Sequence, residues 1–589
     1  MKKELYKIFC FLLACGMFSC SDLKLGNKFL GEEPESSGAT LEEMFSTRDN
    51  AEKVLNQAYT GLIYGIPTSG DDRMGGNITE TLTDLCHSYR MNIGDGPNNL
   101  YYNGQLSPNN IDTKAAYFYG GETDWKTIRY AWVYIENVDK VPDMSLAEKN
   151  ERKAEAKVLI ALSYFRMMRY IGGVPWLDHA IDVNEEMKFP RKTFSETIDL
   201  IVALLDEAIP YMTWKHTSVD DGRMSKAGAM ALKFQVLLWA ASPTFNSDVL
   251  WHKDADEYTC YCNYDSKRWE RANSAGEAFF NELAANKEYS LILPEEENHR
   301  SRRLAYRKAY YDRGGSEVLI SIRKGYANST HDNFYGIRSL IRPTLNYVDM
   351  FPWSDGTDFP AEDFDWENPD QQPFFNLENG ETVPTRDPRL YENVVVPGDL
   401  YWDGTVAPLH TNHPSYKSGS GFFVMKFVLQ ESSDRNNRPV QYPYLRLTEV
   451  MLSYAETLNE VNGKPNTLAY NLVNQIRARV GLNELPKGLG KDDFTKILLR
   501  ERALELGFEE VRWFDLVRRN CEDDFTKQLY GLISTGMDDM NNPKQFTFKK
   551  VKLDQTRYWT DNWDTKWYMA PIPQKEINKK YGLIQNPGW

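Results

Sequence analysis

Along much of the chain, apolar residues recur every three or four positions, the spacing of one buried face on an α-helix. This predicts a first helix over residues 41–64, with Val54, Leu55, Ala58 and Leu62 facing inward. Thr40 followed by Glu43 supplies a capping-box start. Further helices are predicted over 125–141, 146–170, 193–209, 225–241 and 269–285. The one over 146–170 carries Val158, Leu162, Phe165 and Met168 on one face and stops at Gly172-Gly173, with Pro175 just beyond. The pattern returns over 442–461, 467–480 and 492–519, with stops at Asn462-Gly463 and Gly481. Short connections between successive helices predict antiparallel pairs and a helical-repeat body, although no strict sequence period accompanies them.

Two blocks, 66–122 and 287–441, lack helical periodicity and are rich in Gly, Pro, Asn, Asp, Tyr and Trp. Loops of that length within a compact chain usually carry function. Short alternating runs at 317–322 and 422–428 predict strands of a small sheet.

The N-terminus follows a different pattern. Lys2, Lys3 and Lys7 precede an apolar run over 8–18 that is too short to span a ~30 Å hydrocarbon core but fits an export signal. Ser19-Cys20 then resembles a lipoprotein cleavage site, although Met17 and Phe18 are bulky for one; the alternative is an ordinary secretory signal cut nearby. In the lipoprotein reading Cys20 is the acylated first residue, and 20–40 is a Gly/Ser/Pro/Glu-rich leash. The expected organisation is a signal peptide (1–19), a lipidated leash (20–40), a helical region (41–286) with its loop insert at 66–122, and a C-terminal region (287–589). The last divides into loop-rich 287–441 and helical 442–589.

Composition narrows the function. Of 589 residues, 41% are hydrophobic and 26% charged, which excludes wholesale disorder and a polytopic membrane protein. A net charge of −15 opposes nucleic-acid binding, which needs a basic footprint. With 34 Tyr and 15 Trp the chain is well supplied with rings that carry a polar handle, as wet binding surfaces require. Cys86, Cys260, Cys262 and Cys521 show no paired CxxC spacing, so zinc is not expected, and the sequence leaves their pairing open. No GxSxG, HExxH or P-loop is present. His410 and His413 form the one close His pair, in a loop where surface placement is the ordinary outcome. The acidic stretch 355–370 has carboxylates for a structural calcium ion but not EF-hand spacing, so no cofactor is assigned. Arg502, Glu505, Glu509, Arg512, Asp515 and Arg518 fall at i,i+3 and i,i+4 spacings and read as a salt-bridge ladder on one helix rather than as an acid/base pair. Arg386-Asp387-Pro388-Arg389 reads as a buried ion-pair turn.

Several strings, in one order, resemble the SusD/RagB family of Bacteroidetes outer-membrane lipoproteins. They are FLGEEP, ALSYFRMMRYIGGVPW (161–176), GRMSKAGAMALKFQVLLWAAS (222–242), TLNYVDMFPWSDGTDF with TRDPRL (385–390), YPYLRLTEVMLSYAETLNEVNG (442–463), RERALELGFEEVRWFDLVRR (500–519) and the ending PIPQKEI…NPGW. The resemblance implies a mainly α fold, in which tetratricopeptide-like helix pairs form a right-handed superhelical scaffold against an irregular region with a few short strands. It also implies a non-enzymatic, outward-facing lipoprotein that captures a glycan and passes it to a partner TonB-dependent, SusC-like transporter. A peptide-binding member of the family and a surface glycoside hydrolase are the alternatives.

Sugar rings stack on flat aromatic faces, while amides, carboxylates and Arg bind their hydroxyls. The candidate ligand residues are therefore Arg73, Asn77, Tyr89, Arg90, Asn92, Tyr101, Tyr102 and Asn103 in the first loop block. The second block offers Tyr326, Asn328, His331, Asn333, Phe334 and Tyr335. A third group is Phe359, Phe364, Trp366, Phe374 and Phe375, with Trp353 inside a framework-like segment.

Overall fold

A computed structural model describes residues 40–62, 78–89, 100–111, 121–182, 184–186, 188–323, 328–429, 432–436, 438–539, 542–553 and 557–589. Cys20, the signal segment and the leash up to residue 39 lie outside the described residues.

The capping box at Thr40 forms: Thr40 Oγ1 accepts Glu43 N–H at 3.2 Å, and Glu43 Oε2 accepts Thr40 N–H at 2.7 Å. Its helix, however, lasts only over Leu41–Met44. Thr47, in extended conformation, caps a second helix, α1 (Arg48–Thr60). Two helices thus replace the single one expected, because the chain carries a second N-cap hydroxyl. Next come α2 (Gly121–Asn137), α3 (Leu146–Ile171), α4 (Phe194–Ala208), α5 (Lys226–Ala241) and α6 (Ser266–Asn286). Ser145, Thr193, Ser225 and Asp265 each cap the helix that follows. Helix α3 ends at Gly172, which only glycine can fill: its φ is +78°, and a Cβ there would stand 2.5 Å from the Tyr258 carbonyl oxygen. Each helix from α1 to α6 packs on the next.

The middle block contains helices that periodicity did not reveal: α7 (His299–Tyr311) and α8 (Asn328–Ile337). The inner face of α7 is Tyr306, Arg307, Tyr310 and Tyr311, all buried, so its pattern is aromatic and charged rather than aliphatic. Among the described residues, ten short strands make five antiparallel pairs. They are β1 (Cys86–Ser88), β2 (Val318–Ile322), β3 (Ile341–Pro343), β4 (Phe375–Glu378), β5 (Glu381–Pro384), β6 (Val394–Val395), β7 (Phe423–Val424), β8 (Tyr442–Arg446), β9 (Tyr530–Gly536) and β10 (Phe546–Lys552). The pairs are β1–β3, β2–β8, β4–β5, β6–β7 and β9–β10. The strand expected at 422–428 shrinks to β7, because Phe427 turns the chain with a φ of +66°.

Strand β8 takes the residues expected to start the next helix, so α9 begins at Leu447 and runs to Asn462. Then come α10 (Thr467–Arg479), α11 (Lys491–Leu506) and α12 (Arg512–Arg518). One helix expected over 492–519 is therefore two. It breaks at Gly507, where a side chain would meet Tyr347 Oη at 2.2 Å, and Phe508 and Glu510 follow in left-handed conformation. Helix α9 packs on α6, α10 and α11. The array thus continues from α6 directly to α9, across the boundary expected at 286/287. At that junction Phe280 stacks on Tyr454, ring centres 5.0 Å apart.

Below the break lies a layer of buried ion pairs. Glu505 accepts Arg446 at 2.6 Å, Arg389 at 3.4 Å and also Arg479. Glu501 joins Arg389 and Arg477, while Glu509 joins Arg446 at 2.8 Å and Lys426 at 2.5 Å. Arg502 and Arg518 share Asp515, and Arg512 reaches Asp84 at 2.8 Å. Asp515 pairs within the stretch, with Arg502 and with its i,i+3 neighbour Arg518, as the ladder reading expected, whereas Glu505, Glu509 and Arg512 reach partners on distant segments. Arg389 pairs with Asp387 at 2.7 Å, as the turn predicted, whereas buried Arg386 donates to the carbonyls of Phe351 and Val348. Buried charge persists only when paired and hydrogen-bonded, and this layer ties α11 to β8 and to the middle block.

Candidate ligand surface

The two loop blocks meet through β1 and β3. His87 pairs with Arg342 in register, and Tyr89 N–H donates to the Leu340 carbonyl at 2.6 Å. Tyr89 is half-buried, with the Arg342 guanidinium 4.9 Å from its ring centre. Arg342 is held by the carbonyls of Ser339 at 2.9 Å and Ser418 at 2.5 Å and lies 5.3 Å from Phe423. Burial lowers its pKa from the ordinary arginine value.

One turn earlier, the Arg338 guanidinium lies over Tyr335, 3.3 Å from the ring centre. Its Nε donates to Tyr401 Oη at 3.1 Å, and its own carbonyl accepts Val424 N–H at 3.2 Å. Tyr335 and Arg338 are both half-buried, so each presents part of its surface to solvent. Tyr335 and Tyr401 meet edge-on at 6.4 Å. The result is a small surface of Tyr89, Tyr335 and Arg338, backed by the buried Arg342, Tyr401 and Phe423 and fixed by strand pairing and carbonyl hydrogen bonds. Such a surface can stack an apolar ring face and donate to hydroxyl or carboxylate oxygens.

Other candidate residues fall elsewhere. Arg73, Asn77, Arg90, Asn92 and Tyr326 lie outside the described residues, as does the Asn328 side chain. Asn103 is exposed. Tyr101 is buried between Trp559 and Trp567, at 6.0 and 6.1 Å. Tyr102 is buried too: its hydroxyl donates to the Thr81 carbonyl and accepts Ser88 N–H at 3.1 Å. His331 is fully buried, with Tyr311 Oη 3.2 Å from Nδ1 and the Arg438 carbonyl 3.1 Å from Nε2. Phe334 stacks on Phe427 at 5.7 Å in the interior. Trp366 is enclosed by Phe364, Phe359 and Phe548, 4.8 to 6.2 Å away, and Trp353 packs on Phe359 at 5.1 Å. Tyr101, Tyr102, His331, Phe334 and Trp366 therefore give no open face to a ligand: their loops fold over other aromatic residues and bury them. Of the sequence candidates, Tyr89 and Tyr335 are brought into one surface.

The sequence reading missed Arg338, Arg342, Tyr401 and Trp402. Arg338 follows Tyr335 by three residues, a same-face spacing that α8, once recognised, would have exposed. Tyr401-Trp402 precedes Asp403-Gly404, a turn signal carrying two rings.

In the acidic stretch, Asp355 accepts Thr357 N–H at 2.9 Å, and Asp358 pairs with Arg500 at 2.7 Å. Among the described residues no three His, Cys, Asp or Glu side chains converge as metal ligands would. His410 is buried, its ring 5.5 Å from that of His413. The four described cysteines are free thiols, with Cys260 and Cys262 Sγ atoms 3.5 Å apart.

Residues 306–589 match the model of the SusD family. Two SusD-like proteins of Formosa agariphila are similar in sequence. SusD-like protein P38 is 26% identical over 427 residues, 68% of this chain and 73% of the relative. SusD-like protein P2 is 24% identical and covers both chains completely. A solved SusD-like protein from Bacteroides fragilis superposes with a TM-score of 0.71 at 21% identity, covering 94% of this chain and all of the other. A SusD-like carbohydrate-binding protein from the same organism gives 0.65 at 19% identity, covering 91% and 98%. The helix array and the irregular block packed against it thus have the SusD-like architecture, and residues 306–589 of the chain carry the match to the SusD family.

Proposed function

We propose that the protein is a non-enzymatic glycan-capturing lipoprotein of the outer membrane, anchored through Cys20, facing outward, and delivering its ligand to a TonB-dependent transporter. The observation that carries this reading is the half-exposed Tyr335–Arg338 pair, set beside Tyr89 and Arg342 where the two loop blocks meet. Tyr335 supplies a ring for a sugar face, and the half-exposed Arg338 guanidinium supplies donors for its oxygens. Ring stacking gives modest affinity per contact, which suits capture followed by release. The family supports the binding role, and a solved relative of the same fold is a carbohydrate-binding protein. No helix among the described residues is long and apolar enough to cross a membrane, which leaves anchoring to the N-terminal lipid in this reading.

The test is affinity electrophoresis and calorimetry of the full-length protein in detergent against plant, host and microbial polysaccharides, with oligopeptides alongside. Binding of one polysaccharide class without turnover is expected. Catalytic hydrolysis, or peptide binding with no glycan binding, would overturn the reading. Co-purification of a barrel transporter from native membranes tests delivery, and its absence counts against that part.

A further inference from the structure

Next to the Tyr335–Arg338 surface, on the far side of Tyr401, the chain makes a tight turn that displays Trp402. Leu400 bridges Val406, Tyr401 N–H donates to the Thr405 carbonyl at 2.9 Å, and Asp403 Oδ1 accepts Thr405 N–H at 2.8 Å. Gly404 closes the turn with a φ of +85°. Trp402 is thereby held half-exposed against the first two turns of α7. The guanidiniums of Arg307, Arg303 and Arg300 lie 4.0, 5.0 and 5.2 Å from its ring centre. Between the turn and α7 is a hollow of about 270 Å³, lined by His299, Arg300, Arg303, Leu400, Tyr401 and Trp402.

The three cations differ in their commitments. Arg307 is buried and bound to Glu392 at 2.9 Å. Arg303 is also bound to Glu392 at 2.9 Å and donates to the Tyr391 carbonyl at 2.7 Å, with Asp399 4.0 Å away. Arg300 is exposed and has no carboxylate at ion-pair distance among the described residues. The lining therefore carries two guanidiniums and no carboxylate, in a chain whose net charge is −15. A second hollow, of about 200 Å³, opens on the other side of Arg300, but Glu295 and Glu296 line it and disfavour an anion there.

A half-exposed indole edged by guanidiniums matches a ligand that has both a stackable ring and a negative charge. The hollow's size lies near the lower end of the ~300–1,000 Å³ of small-molecule sites, room for a ring-sized unit rather than a long segment. From this arrangement we infer that the Trp402 hollow is a subsite for an acidic sugar residue, a uronate or a sugar sulfate, with the ring against Trp402 and the anion on Arg300 and Arg303. This rests on the glycan-capture reading and specifies a charge class for part of its ligand. Placed beyond Tyr401, the hollow would hold a charged unit of a chain whose other units lie on Tyr335 and Arg338.

The test uses the full-length protein in detergent and calorimetry with three probes: oligogalacturonate, a sulfated galactan oligosaccharide and neutral malto- and xylo-oligosaccharides. Arg300→Glu is the primary variant, because Arg300 is exposed and its replacement leaves the fold intact. Trp402→Ala is the second, accepted only with an unchanged melting curve. Lys253→Glu, exposed and outside the hollow, controls for the change in net charge. Expected is binding of at least one acidic probe that weakens with added salt, falls tenfold or more in Arg300→Glu and persists in Lys253→Glu. The uronate and sulfate arms decide which anion is preferred. Acidic-probe binding that is equal in wild type and Arg300→Glu overturns the inference. So does binding of neutral probes alone, which leaves the capture reading standing. Binding of no glycan of any kind overturns both.

Discussion

Gly276 of α6 lies so close to Tyr454 of α9 that a Cβ there would stand 2.6 Å from the ring, and 3.1 Å from Phe234. The glycine is what allows two helices some 180 positions apart in the chain to sit as neighbours. Gly276→Ala is expected to cost about 1–3 kcal/mol, because an overpacked site must push the helices apart. A urea titration followed by tryptophan fluorescence measures it, and an unchanged midpoint would show that the contact is slack.

Glu505 is the shared acceptor of Arg389, Arg446 and Arg479. Three guanidiniums hold its carboxyl well below the usual range against the upward push of burial. Glu505→Gln leaves those cations without their common counter-charge, at an expected loss of about 3–5 kcal/mol. Replacing an exposed partner such as Glu295, paired with Lys308, is expected to leave stability nearly unchanged, because solvent screens the pair. Equal losses at the two positions would refute the assignment of the buried layer as the clamp.

Two buried carboxylates give opposite pH dependence. Burial pushes Glu456 upward, but Arg518 and then Arg519 outweigh it and bring it down to about 2. Its folded pKa is thus below the unfolded value near 4.5. The stabilisation, on the order of 3 kcal/mol, is present above pH 4.5 and lost as the pH falls toward 2. Glu80 is raised to about 8, by burial first and the neighbouring Glu510 second. Folding keeps it protonated where the unfolded chain ionises, so stability falls as the pH rises from about 4.5 to 8. Glu80→Gln should match wild type near pH 4.5 and exceed it at pH 8 by roughly 2–4 kcal/mol. A difference independent of pH would exclude Glu80 as the source.

Surface and buried aromatics separate in a simple comparison. Tyr335→Ala and Arg338→Ala are expected to weaken glycan binding about tenfold, roughly 1.4 kcal/mol, with little change in melting temperature. Tyr101→Ala and Trp366→Ala are expected to destabilise by about 3–5 kcal/mol through loss of core volume. Calorimetry and thermal melts on the same samples read both. Strong ligand loss with no destabilisation in Trp366→Ala would return that ring to the ligand surface.

The helical array was legible in the sequence because its inner faces are aliphatic and its starts carry Ser, Thr or Asp caps. Thr193, Ser225 and Ser145 cap the helices that the periodicity places there. Helix α7 was not legible, since its buried face is Tyr306, Arg307, Tyr310 and Tyr311, types that also mark exposed binding loops. The same ambiguity misplaced Tyr101, Tyr102, Phe334 and Trp366. Composition identifies a stackable ring but not what covers it, and here the cover comes from residues far along the chain, such as Trp559, Trp567 and Phe548. Tyr89 and Tyr335 could be nominated singly, but their neighbourhood depends on β1 pairing with β3 across some 250 residues. The break at Gly507 likewise depends on Tyr347, which fills the space a side chain would need.

The passage of the array from α6 straight to α9 has a consequence for how such a protein can change. Strand β2 pairs with β8, and Leu447 N–H donates to the Glu317 carbonyl at 2.8 Å, so the intervening segment leaves and rejoins the helices at one closed stem. Lengthening a loop whose ends are already pinned adds little closure entropy, only about 0.6 kcal/mol per doubling. Exposed loops of that segment can therefore change length at little cost, while its Arg389 and Lys426 stay bound to Glu501, Glu505 and Glu509 beneath.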